Sequence, residues 1–155
     1  MTEQDVPKVT ELLNTYLNDR KVHIVFDEAE VRHFFLPRDN VVYSYVDGPV
    51  GSPTDIFSFY CLPSQILNHA QHNTLKVAYS FYNVSTTGRF KDGMRDLLIK
   101  AKALDFDVFN ALDVMENRPV FEDLKFGIGD GQLHYYLFNW RIKDVTPEDI
   151  GIVLV

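Results

Sequence analysis

Cysteine and tryptophan are nearly missing from this chain: its 155 residues hold one of each, Cys61 and Trp140. A lone thiol forms no internal disulfide and no cysteine-based zinc site, and it fits a reducing compartment. No apolar run approaches the roughly 18 residues that mark a membrane-spanning helix. The opening Met1-Thr-Glu-Gln-Asp-Val-Pro7 has neither a basic stretch nor an apolar one, so it predicts no secretory leader. These features lead to the expectation of a cytoplasmic protein. Positive charge is also in deficit: 15 Lys and Arg against 22 Asp and Glu give −7. That disfavours nonspecific binding to nucleic acid or an anionic membrane, and leaves basic ligands open. Repeats and low-complexity tracts are absent.

What is abundant is aromatic. Twelve Phe and eight Tyr bring the aromatic share to 14%, within a 46% apolar total that is ample for a packed core. Val6, Val9, Leu12, Leu13, Tyr16 and Leu17 recur at helical spacing behind Thr2, Asp5 and Pro7, which suit a helix start. Asp27-Glu28 open a second helix, stopped by Pro37. Val41–Val46, Thr54–Leu62 and Leu75–Val84 read as three strands of an antiparallel meander, with Phe57, Phe59 and Cys61 alternating against Ser58 and Tyr60. Phe90–Leu104 is a helix with Met94, Leu97, Leu98, Ala101 and Leu104 inward. Beyond it the pattern predicts a buried strand at Asp107–Ala111, a helix over Asp113–Leu124 interrupted near Pro119, and strands at Leu133–Trp140 and Ile150–Val155. The order implies one α+β domain, residues 1–155, with a mixed, mainly antiparallel sheet and helices on both faces.

Most short patterns carry little chemistry. His69 and His72 lie three apart but in an apparent loop, with no carboxylate or cysteine beside them, so no metal site is expected. Ser58, Ser64 and Ser80 lack a nucleophile motif, and nothing marks Cys61 as an activated thiolate. Asp113, Glu116, Glu122 and Asp123 form either an acid/base set or a solvated helix face. Phe126-Gly-Ile-Gly-Asp-Gly131 lacks the Gly-Lys-Ser/Thr of a P-loop and leads into a predicted strand. It is either a tight turn needing positive φ, or a turn that lets a ligand approach the backbone while Asp130 faces a cation. The end, Ile150-Gly-Ile-Val-Leu-Val155, is apolar to its last residue. A carboxylate there is either drawn into the core region, where burial makes it a stronger base, or reaches water.

Longer stretches resemble one family. Lys125-Phe-Gly-Ile-Gly-Asp-Gly-Gln-Leu-His-Tyr-Tyr-Leu-Phe-Asn-Trp140 is similar to the signature of eukaryotic protein N-myristoyltransferases, the glycylpeptide N-tetradecanoyltransferases. So are Phe106–Asn117, Leu75–Val84, Phe57–Ser64 and the terminal Gly151–Val155, in the same order along essentially the whole chain.

The resemblance implies the C-terminal half of an enzyme built from two GNAT-like (acyl-CoA N-acyltransferase) halves. It implies that Val155 provides the base, through its main-chain carboxylate, and that a glycine-initiated peptide is the substrate. Ser64, Leu75, Tyr79, Asn110, Leu112 and Leu133 would line the peptide groove, with Asp130 meeting a basic residue of the substrate. Myristoyl-CoA would be the co-substrate, held mostly by the N-terminal half, and no cofactor is expected to be bound. The alternative is a non-catalytic peptide- or partner-binding module. No acyl-CoA pyrophosphate loop of the Arg/Gln-x-x-Gly-x-Gly/Ala kind occurs between Val84 and Met94, so this half alone is expected to transfer nothing. Without the other half, the aromatic surface at Phe57–Tyr60 and Tyr79–Tyr82 is expected to be exposed.

Overall fold

A computed structural model describes residues 1–67 and 73–154. Its first helix, α1 (Val6–Leu17), begins where Asp5 folds back on Thr2. The Asp5 carboxylate accepts from the Thr2 amide at 2.7 Å, the Thr2 hydroxyl at 2.9 Å and the Gly51 amide at 2.8 Å. The start of α1 is thereby tied to a distant turn. Val6, Val9, Leu13 and Leu17 are wholly buried. Burying side chains of this size contributes about 1.5–3 kcal/mol each. A two-residue strand, β1 (Val22–His23), leads to α2 (Glu28–Phe35). Asp27 and Glu30 cap α2 reciprocally, and Leu36, ahead of Pro37, is already extended.

The main sheet runs β2 (Val42–Asp47), β3 (Asp55–Cys61), β6 (Val77–Ser80), β8 (Val108–Asn110). β7 (Val84–Ser85) pairs with the other end of β3. β2, β3 and β6 are antiparallel and β6–β8 is parallel. A side ladder joins β4 (Ser64–Gln65) to β5 (Thr74–Leu75). Along β3 the side chains alternate between two cores. Ile56 and Tyr60 join the α1 and α2 residues, whereas Phe57, Phe59 and Cys61 join Met94, Leu97 and Ala101 of α3 (Phe90–Ala103). The period-2 reading of this strand is therefore realised with helices on both faces.

A bulge separates β6 from β7. The Ser58 amide donates to Asn83 Oδ1 at 2.9 Å, and the Ser58 hydroxyl donates to the Tyr82 carbonyl at 2.7 Å. The Asn83 amide group in turn donates to Ser80 Oγ at 2.8 Å. These buried side chains satisfy backbone groups that an interrupted ladder leaves open. As a result Phe81 and Tyr82, though consecutive, both pack into the α1/α2 core.

Several expectations for the second half need correction. β8 exists but is an edge strand among the described residues, with Val108 37% exposed, rather than a buried one. The helix over Asp113–Leu124 shrinks to α4 (Arg118–Phe121), because Met115 takes a left-handed φ of 54°. Pro119 sits in the first turn of α4, where its missing amide costs nothing. Leu133–Trp140 forms no strand despite its β-rich composition: among the described residues it has no ladder partner. Strand composition stabilises only when the segment is laid against a ladder partner. The last strand stops early, as β9 (Ile150–Gly151), parallel to β1. The expected exposure of aromatics is also reversed. Phe57, Phe59, Phe81 and Tyr82 are buried, Tyr60 and Tyr79 are half-buried, and the exposed rings among the described residues are Phe34, Tyr136, Phe138 and Trp140.

Candidate functional site

The two-strand pair β1–β9 carries the chain end onto the sheet face covered by α1 and α2. Arg20 and Lys21 guide that approach. An Arg20 guanidinium N–H donates to the Glu148 carbonyl at 3.2 Å, and Lys21 pairs with Asp149 at 2.8 Å. A β-carbon added at Gly151 would come within 2.8 Å of Leu17 Cδ2 and 3.0 Å of His23 Cβ, so a larger residue there would have to displace the buried Leu17 side chain.

Beyond β9 the backbone leaves ladder pairing, and three tyrosine hydroxyls take over. Tyr82 accepts from the Val153 amide at 3.0 Å and donates to the Gly151 carbonyl at 3.4 Å. Tyr135 donates to the Ile152 carbonyl at 2.7 Å. Tyr60 donates to the Leu154 carbonyl at 3.1 Å. Burial pushes the Tyr82 hydroxyl up to about 12. It also raises those of Tyr60 and Tyr135, so all three remain protonated donors well past neutral pH. Val155 lies outside the described residues, as do His69 and His72.

The remaining candidates fall into three sets. Ser64 and Leu75 are direct partners in the β4–β5 ladder, Ser64 exposed and Leu75 half-buried. Tyr79 and Asn110 are partners in the β6–β8 ladder, and the Tyr79 ring stacks on Tyr60 at 5.3 Å. Leu112 and Leu133 line a cleft of about 1040 Å³, whose wall also includes Asp113, Arg118, Phe121, His134 and Tyr135. Gly129 and Gly131 border this cleft, with the exposed Asp130 between them. The first two sets do not line the cleft.

The glycine turn is not conformationally demanding. Gly127, Gly129 and Gly131 do not share the positive φ of Gly48, Gly51 and Gly88. A β-carbon at any of the three would meet nothing within 4 Å. The tight-turn reading therefore fails.

Other candidates take structural places. Asp113 pairs with Arg118, Glu116 with Arg20 and Asp123 with Lys91, all across exposed surface. Ser58 and Ser80 serve the bulge. Burial raises the Cys61 thiol, the opposite of activation. No group of His, Cys, Asp and Glu among the described residues could hold a metal ion, and no described helix is long and apolar enough to cross a membrane.

Residues 1–153 match the family described as myristoyl-CoA:protein N-myristoyltransferase, C-terminal domain. The chain belongs to the N-myristoyltransferase family. It is 46% identical to the glycylpeptide N-tetradecanoyltransferase of Plasmodium falciparum, over all of this chain and 38% of that protein. It is 52% identical to glycylpeptide N-tetradecanoyltransferase 1 of Arabidopsis thaliana, over all of this chain and 36% of the relative. The chain thus spans little more than a third of these N-myristoyltransferases. A crystal structure of Saccharomyces cerevisiae N-myristoyltransferase with bound myristoyl-CoA superposes with a TM-score of 0.71 at 31% identity, covering 84% of this chain and 37% of that one. A predicted acetyltransferase from Clostridium acetobutylicum, at 15% identity and TM-score 0.65, shares the fold over 90% of this chain and 95% of its own. The architecture is GNAT-like α+β, as the N-myristoyltransferase resemblance implied.

The tyrosine hydroxyls were missed at the sequence level. Tyr60 was placed on its strand, but its partner lies 94 residues away, and no local pattern signals such a contact.

Proposed function

We propose that this chain is the C-terminal half of a cytoplasmic enzyme that transfers myristate from myristoyl-CoA to the N-terminal glycine of proteins. This half supplies the peptide groove and the base. The observation that carries the reading is the match to the C-terminal domain of N-myristoyltransferases along residues 1–153. The chain end lying on the sheet face beside the Tyr60–Tyr79 stack supports it.

In this reading the substrate lies along Ser64, Leu75, Tyr79, Asn110, Leu112 and Leu133, and Asp130 faces a basic side chain of the peptide. The main-chain carboxylate of Val155 takes a proton from the glycine ammonium. The freed amine attacks the thioester carbonyl, the carbon–sulfur bond breaks, and the proton that the attacking nitrogen sheds to become the amide goes to the departing sulfur, so coenzyme A leaves as the thiol. No acyl-enzyme forms, because the amine is positioned against the thioester directly. The N-terminal half is the partner that holds myristoyl-CoA and the groups facing the developing oxyanion.

The test is a transfer assay with myristoyl-CoA and a glycine-initiated peptide. The purified chain alone is expected to give no acylated peptide above background. The chain joined to its acyl-CoA-binding half is expected to transfer. Transfer by the chain alone overturns the division of labour; a folded, joined protein that transfers nothing overturns the activity.

A further inference from the structure

Residues 152–154 are held in an unusual way for a chain segment beside a sheet. Among the described residues, the Ile152 carbonyl, the Val153 amide and the Leu154 carbonyl each bond to a tyrosine hydroxyl. A β-ladder would fix such a segment through a neighbouring strand. Here Tyr60, Tyr82 and Tyr135 do so from three separate places: β3, the bulge after β6, and the segment following the glycine turn.

We propose that Tyr60, Tyr82 and Tyr135 form a clamp that positions the chain end for proton transfer, acting through the backbone of Gly151–Leu154. They are positioning residues, not catalytic ones. The inference rests on the reading that Val155 carries the base. Leu154, whose carbonyl Tyr60 holds, is the covalent neighbour of Val155.

The geometry favours positioning over simple stabilisation for two reasons. The rings are themselves fixed. Tyr82 is fully buried, edge-on to Phe26 at 5.3 Å and to Phe81 at 4.8 Å, and Tyr60 is stacked on Tyr79 at 5.3 Å. A hydroxyl on an immobilised ring sets the place of the group it bonds. The clamp also loads successive residues: Gly151, Ile152, Val153 and Leu154 each give one backbone group to it. Four consecutive anchored residues leave the segment little conformational freedom, and a misplacement of about 1 Å near a reacting group can cost on the order of 100-fold in rate.

The bulge explains how a single hydroxyl reaches two backbone groups. Because Phe81 and Tyr82 face the same side, the Tyr82 ring enters the α1/α2 core end-on toward the passing tail. A regular strand would have sent one of the two to the opposite face.

The experiment uses the complete two-half enzyme with Tyr60→Phe and Tyr135→Phe, which keep each ring and remove one donated hydrogen bond. Single-turnover acyl transfer with myristoyl-CoA already bound reads the chemical step, and peptide KM reads the groove. A third protein carries two residues appended after Val155, and a fourth combines that extension with Tyr60→Phe. The expected result is a transfer rate lowered about fivefold or more in each Phe variant, with peptide KM changed less than twofold. The extension alone should also lower the rate strongly, and Tyr60→Phe should cost nothing further in the extended protein. That lost sensitivity separates positioning from a general loosening of the fold, which would subtract equally in both backgrounds. Phe variants with unchanged rate, in an enzyme that the extension does inactivate, overturn the clamp alone. An extension without effect overturns the base, and the clamp with it. A rate loss matched by a rise in KM assigns Tyr60 to the groove wall and overturns its positioning role. Should Tyr60→Phe fail to fold, Tyr135→Phe decides by the same criteria.

Discussion

Gly93 of α3 rests directly on the ring of Phe57, and a β-carbon at position 93 would overlap that ring. The contact brings α3 against β3 in the second core, where Phe57 is 7% exposed and Met94 is fully buried. Gly93→Ala gains about 1 kcal/mol of helix propensity. Forcing a buried ring aside in a packed core costs about 1–3 kcal/mol, with the helix displaced as well. The expected outcome is net destabilisation in urea unfolding, partly recovered by the double variant Gly93→Ala/Phe57→Leu. A Gly93→Ala protein more stable than the parent by that full amount, about 1 kcal/mol, would show that α3 can lift off the sheet at no cost.

Two buried carboxylates make the fold acid-sensitive. Burial pushes Asp5 up, but hydrogen bonds from Gly51 and Thr2 outweigh it and hold the group below its ordinary 3.8. Asp55 behaves likewise: burial raises it, while Thr87, Ser85 and the Thr86 amide bring it below 3.8. A carboxyl with a lowered folded value adds stability that is complete above its unfolded value and disappears as pH falls through the folded one. Below 3.8 the parent should therefore lose stability more steeply than Asp55→Asn, whose curve should be flatter and lower at neutral pH. Parallel curves for the two proteins, followed by circular dichroism in urea, would remove Asp55 from the account.

Asp130 stands exposed between Gly129 and Gly131, beside the cleft. A solvent-exposed ion pair with a substrate lysine is worth up to about 1 kcal/mol, or roughly fivefold in affinity. In the complete enzyme Asp130→Asn should weaken peptides that carry the basic residue by that factor and leave neutral peptides unchanged. Equal weakening of both, measured as KM, would make Asp130 a shaper of the turn.

If the proposed division into two halves holds, Trp140, the one tryptophan of this chain and 73% exposed, reports optically on their contact. Ile128, Tyr136 and Phe138 are exposed along the same stretch, and in the proposed function this apolar concentration is the face that meets the N-terminal half. Fluorescence of this domain alone should be that of a water-exposed indole and should shift to the blue when the N-terminal half is joined. An unchanged spectrum in the active, joined enzyme would place the contact elsewhere.

The elements legible in the sequence are those stabilised by their own periodic faces. α1, α3 and β3 announce themselves through Val6, Val9 and Leu13, through Met94, Leu97 and Ala101, and through Phe57 and Phe59, because each pattern matches the period of one backbone geometry. Leu133–Trp140 misled for the complementary reason: residue composition reports preference for a strand but not whether tertiary folding sets the segment beside a partner strand. The bulge at Phe81–Asn83 was equally hidden, since it depends on Ser58, 25 residues from Asn83. The groove candidates came from family resemblance, residue by residue. Hydroxyl contacts to the chain end, 94 and 71 residues away for Tyr60 and Tyr82, are products of tertiary closure.

The parallel β1–β9 pair joins residues near the two ends, with Lys21 bonded to Asp149 across 128 positions. Contacts this distant in sequence form late, after the intervening chain has condensed, since their loop-closure entropy must be met first. In that order β9 and the segment after it find α1 and the tyrosines already in place. The part of the molecule proposed to carry the base would then be the final piece to dock, and the first to lift when the domain begins to unfold. Hydrogen exchange should accordingly protect the Val153 amide less than the amides of β3, so inactivation would precede loss of the sheet on mild heating.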